Sequence, residues 1–147
     1  MISRELTARI AFGLTLVVQL TYFVHATAGL RAAEPASVGL HSAFAAALAA
    51  LVVIGLAANR VLGQPRAADA DERDAGILLE SQRRAYVALL SGLLVLLLVV
   101  QLHAKDVSVV LLAHLALGAA VLGELTRFGS LAWDYHRSLA GLDGSQA

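Results

Sequence analysis

The sequence predicts an all-α integral membrane protein: a four-helix bundle with both termini cytoplasmic and an amphipathic cytoplasmic extension leading into the third helix. Three observations predict it. Four apolar runs, residues 8–30, 38–59, 85–104 and 107–128, each hold about 20 residues, the length a helix needs to cross the ~30 Å hydrocarbon core. The chain is 59% hydrophobic and only 15% charged, with a mean hydropathy of +0.74; a soluble domain carries about 25% charged residues. The basic residues are also segregated. Arg4, Arg9, Arg60, Arg66, Arg73, Arg83, Arg84, Arg127 and Arg137 fall on one side of the implied membrane, against Arg31 and Lys105 on the other. Cationic side chains in short loops mark the cytoplasmic face, so the termini, the 60–84 loop and the 129–147 tail are expected inside. In 147 residues, four spans leave no room for a second folded domain.

The first run has a basic start and an Ala26-Thr27-Ala28 step resembling a signal-peptide cleavage site. It is nevertheless long enough to span, and it is read as the first transmembrane helix. The second is rich in alanine, and Gly63-Gln64-Pro65 breaks it. Beyond the break, Asp71 is a candidate N-cap with Asp74 three residues on. Ala75, Leu78 and Leu79, with Ile77 beside them, form an apolar face, and Glu80 is placed to pair with Arg84. This helix should run unbroken into the third span. The third and fourth spans are separated by little more than Lys105-Asp106, a tight antiparallel turn. Phe128, Trp133 and Tyr135 are expected at the inner interface, where amphipathic rings are favoured.

Asp71-Glu72-Arg73, Arg83-Arg84-Ala85-Tyr86, and the closing Glu124, Arg127 and Tyr135-His136-Arg137 together resemble an uncharacterised family of small four-span bacterial membrane proteins. That family has an Asp-Glu-Arg motif before span three. The resemblance covers residues 71–137. It implies the same fold in a bacterial inner membrane and brings no reaction or catalytic residues.

The functional candidates lie in two layers. His25, His41, His103 and His114, one per span, all fall toward the outer side. If the bundle brought them together, imidazoles could ligate haem, zinc or copper, with Glu34 and Asp106 nearby. The bland alternative is hydrogen bonding at the interface or between helices. Glu124 is the one carboxylate inside a predicted span, and Gln19 is a polar group within the first; both are candidates for ion or proton binding. A Glu124–Arg127 salt bridge is the more ordinary expectation. Asp71, Glu72, Arg73, Arg83 and Arg84 form a candidate cytoplasmic contact surface.

Small residues on helix two (Ala43, Ala45, Ala46, Ala47, Ala49, Ala50) and helix four (Gly118, Ala119, Gly123) suit close helix packing or self-association. The bulky 93–100 run on helix three suits lipid. Zero net charge gives no electrostatic footprint for nucleic acid. The absence of cysteine excludes disulfides, thiolate metal sites and a cysteine nucleophile. No phosphate loop, His-Glu-x-x-His or Gly-x-Ser-x-Gly motif is present. The expectation is therefore a noncatalytic accessory, sensory or regulatory membrane component, partnered by the bilayer and by a membrane protein or further copies of itself. The alternatives are a haem- or metal-binding protein and a small oligomeric channel or carrier.

Overall fold

The computed structural model describes residues 4–31, 38–62, 72–103 and 108–143, with side chains placed for 4–28, 41–62, 74–102 and 108–137. Four helices fill these ranges: α1 (Arg4–Arg31), α2 (Val38–Leu62), α3 (Glu72–His103) and α4 (Val109–Asp143). Each is long and apolar enough to cross a membrane. The Asp71 cap and the Lys105-Asp106 turn lie outside the described residues.

Helix α3 runs without a break through 32 residues, so the amphipathic stretch and the third span are one element, as its unbroken pattern predicts. The largest departure is α4. The apolar run stops at Phe128, yet the helix continues to Asp143. Mean hydropathy falls there while helical periodicity persists: Phe128, Leu131 and Tyr135, three and four residues apart, are all buried on one face. At its other end α4 begins at Val109. The Ser108 hydroxyl accepts a hydrogen bond from the Leu111 amide (3.1 Å), and the Ser108 carbonyl accepts from the Leu112 amide (3.0 Å). Ser108 is thus an N-cap, signalled by a serine immediately before an apolar run.

The packing order is α2, α1, α4, α3. Helix α4 is the hub, touching all three others, while α3 packs chiefly on α4 and makes no close backbone approach to α1 or α2 among the described residues. Close α3–α4 packing follows from small residues. A Cβ on Gly92 would stand 2.9 Å from Ala119 Cβ, and one on Gly123 would stand 3.4 Å from Leu89 Cβ. Helix α1 buries a seam of Ala8, Ala11, Thr15, Gln19, Tyr22 and Ala26, spaced three or four residues apart. Gln19 sits within this seam and donates from Nε2 to the Ala47 carbonyl of α2 (2.9 Å), which ties the two helices. Of the six alanines between residues 43 and 50 only Ala47 is buried; Ala45, Ala46 and Ala49 face outward.

Two apolar clusters form the interior. One joins Ala8, Ala11, Ala58, Leu62, Phe128, Leu131 and Tyr135, with Ile77 and Leu78 of α3 against it. The other joins Tyr22, Ala26, Ala47, Leu51, Leu117 and Val121. These clusters correct two expectations. Phe128 and Tyr135 are core residues, and of the three aromatics only Trp133 is exposed. The inward face of the α3 extension is Ile77, Leu78 and Ser81, whereas Ala75 and Leu79 point away, because the hub lies on the Ser81 side.

Candidate functional site

Charge collects at one end of the bundle, where α1 and α3 begin and α2 and α4 finish. Arg4 forms an ion pair and hydrogen bond with Asp74, joining the starts of α1 and α3. The Asp74 carboxylate therefore serves an interhelical pair rather than only its own helix terminus. Arg84 reaches Asp134 of α4 (2.9 Å) and its own-helix neighbour Glu80 (3.3 Å). Glu5 lies beside Arg9 (2.5 Å) and His136 (3.5 Å). The exposed Arg84 pairs each contribute at most about 1 kcal/mol, so they fix register more than they stabilise. Of the predicted contact surface, Arg84 is therefore engaged within the molecule, while Arg83 is exposed. Asp71 and the side chains of Glu72 and Arg73 lie outside the described residues.

Because α3 and α2 do not meet, they leave a lateral cleft of about 690 Å³ whose floor is α4. One wall is Leu51, Val52, Gly55, Leu56 and Asn59 of α2; the other is Gln82, Ala85, Tyr86 and Leu89 of α3. Ala120 and Gly123 recess the floor, and Glu124 and Arg127 close it toward the charged end. Arg127 lies 3.5 Å from Glu124 and donates a hydrogen bond to Asn59 Oδ1, bridging α4 to α2. Its guanidinium also stands 5.3 Å from the Phe128 ring centroid, a cation–π contact. The Nε–H of Arg127 is buried without a hydrogen-bond acceptor. The i, i+3 pairing of Glu124 expected from its spacing is thus present, and it supplies the carboxylate with a counter-charge. Asn59, whose side chain joins two helices here, was missed by sequence reasoning. Its only signal is a polar residue in the last turns of an apolar span.

At the opposite end the described histidine side chains have different surroundings. His114 is buried, and its Nδ1 lies 2.6 Å from the Val110 carbonyl. A carbonyl only accepts, so Nδ1 carries the proton. Tyr22 stacks on the imidazole at 5.7 Å between centroids, and Phe44 is tilted against it at 5.7 Å. His41 lines a 240 Å³ pocket shared with His114 and Phe44. His25 is exposed, and the His103 side chain lies outside the described residues. Among the described residues, no three His, Asp or Glu side chains stand close enough to share a metal ion. The aromatic enclosure of His114 was not legible as a motif, because Tyr22, Phe44 and His114 come from three helices whose rotations only packing fixes.

Comparison with known proteins returns no family model, no curated protein and no solved structure that matches this chain.

Proposed function

We propose that this chain is an integral protein of a bacterial cytoplasmic membrane, with both termini inside. It acts without a catalytic centre, as an accessory or regulatory component that engages a membrane partner at its charged end. One observation carries the reading: α3 and α4 are longer than a bilayer core is thick and are paired with each other at the charged end. At 1.5 Å per residue their 32 and 35 residues extend about 48 Å and about 52 Å, against a core of ~30 Å. The excess pairs through Arg84–Asp134 and leaves Arg83, Leu79 and Trp133 exposed. The apolar perimeter supports membrane insertion. Val17, Val24, Val53, Leu56, Leu94 and Leu97 are each more than 60% exposed, a surface that would aggregate in water and suits lipid. The arginine asymmetry supports the orientation.

Because the chain has no cysteine, single cysteines report topology directly. Arg83→Cys and Arg137→Cys should react with an impermeant thiol reagent only after the cells are opened, and His25→Cys and His41→Cys before. The reverse pattern would overturn the orientation. The contact surface separates by variant. Arg83→Glu should weaken crosslinking to the partner without changing thermal stability. Arg84→Glu, which breaks the Asp134 pair, should lower stability by up to about 1 kcal/mol. Crosslinking indifferent to Arg83→Glu removes this surface from the proposal.

A further inference from the structure

We infer that the α2–α3 cleft is a binding site for one anionic phospholipid from the leaflet at the charged end, an inference that rests on the membrane reading above. The first argument is depth. The α2 wall runs from Leu51 to Asn59, about 12 Å along the helix axis, which fits within one leaflet of a ~30 Å core. A partner transmembrane helix would need a groove through both leaflets, whereas an acyl chain needs only one.

The second argument is the gradient of chemistry along the cleft. Its inner part is Leu51, Val52, Leu56 and Leu89 over a floor of small residues, a surface for hydrocarbon. Its outer part carries Asn59, Gln82, Tyr86 and Arg127, which suit the ester and phosphate oxygens of a headgroup.

The third argument is charge. Glu124 offsets Arg127, so that pair supplies directional donors and little net attraction. Net positive charge comes instead from the rims. Arg60 and Arg83 stand one position past the lining residues Asn59 and Gln82, at the same axial level but outside the lining; both are exposed, and neither has an acidic partner among the described residues. Two long cationic arms at the level of the cleft's polar end complement an anionic headgroup and not a zwitterionic one.

The structure also supplies a clean way to close the cleft. Gly55 lines it, and a Cβ there meets nothing within 4 Å, so Gly55→Leu puts a bulky side chain into the cleft with no clash at its root. Gly13 on α1 is equally open and outside the cleft, which makes Gly13→Leu the control. The full chain in detergent is titrated with phosphatidylglycerol and with phosphatidylcholine, and bound lipid is read by native mass spectrometry and thermal shift. Phosphatidylglycerol should bind about 30-fold more tightly, each rim arginine contributing roughly fivefold. Arg60→Gln with Arg83→Gln should abolish the preference, Gly55→Leu should abolish retention of either lipid, and Gly13→Leu should change neither. Equal affinity for the two lipids, or binding untouched by Gly55→Leu, would overturn the inference. So would a change of oligomeric state in Gly55→Leu with no lipid bound, which would assign the cleft to a second copy. The cysteine-labelling pattern is independent of all these outcomes. If it is as expected and lipid selectivity is absent, this inference fails and the membrane reading stands.

Discussion

Phe128→Ala should destabilise the bundle by about 3–5 kcal/mol, the range for truncating a buried phenylalanine. Phe128 is fully buried in the cluster of Ala8, Ala11, Ala58, Leu62, Leu131 and Tyr135, with Ile77 and Leu78 against it. It therefore belongs to a cluster that draws side chains from all four helices. The variant also removes the cation–π contact with Arg127, leaving that guanidinium less well held at the cleft floor. Reversible unfolding in a mild detergent measures the effect, with Trp133→Ala as reference. Trp133 is 59% exposed on the same helix and should cost no more than about 0.5 kcal/mol. Equal losses for the two variants would show that the cluster is not the core.

Gly92→Ala should separate α3 from α4, although it adds a single methyl. The new Cβ would lie 2.9 Å from Ala119 Cβ and 3.2 Å from Ala119 Cα. The nearest atoms are backbone and the root of a side chain, so no rotamer change relieves the clash. Overpacking of this kind costs typically 1–3 kcal/mol. Since α3 approaches no backbone closely but that of α4, and meets α1 through the Arg4–Asp74 pair at its start, the loss should appear as loosening of α3 around Gly92, read as increased hydrogen exchange in that part of the helix. Ala119→Gly should restore most of the stability when combined with Gly92→Ala, because it removes the opposing methyl. Absence of that rescue would place the close approach elsewhere. Gly13→Ala, which meets nothing within 4 Å, should be neutral or slightly stabilising.

Features that depend on a few consecutive residues were legible before the fold was known. The apolar runs give the number of helices, and hydropathy plus length places them within a few residues at most ends. The unbroken passage from the 72–84 stretch into the third span follows from the absence of Gly or Pro pairs there. The Glu80–Arg84 and Glu124–Arg127 pairs follow from helical spacing alone. Where hydropathy and periodicity diverge, the two signals give different answers. At the end of α4, hydropathy marks the last apolar residue and periodicity marks the last helical turn, and the helix obeyed the second.

The candidate site was less legible. Glu124 could be singled out as an intramembrane carboxylate, but its neighbours Asn59 and Arg127, and the cleft they close, needed the separation of α2 from α3. The histidines could be assigned to one layer, but their directions could not. In a soluble helix a polar face marks the solvent side, so rotation can be read from the pattern. A helix that is apolar all round carries no such mark, because lipid and bundle interior are equally nonpolar. Its rotation is set by where Gly92 admits Ala119, where Gln19 reaches the Ala47 carbonyl, and where Phe128 fills the space among alanines. The sequence by itself thus determined four spanning-length helices, their charged end and their local ion pairs, since these are properties of single segments. Only the tertiary structure decided that α4 is the hub, that α2 and α3 stand apart around a cleft, and that His114 is enclosed by aromatic rings. Those depend on contacts between residues far apart in the chain, selected by shape rather than by polarity.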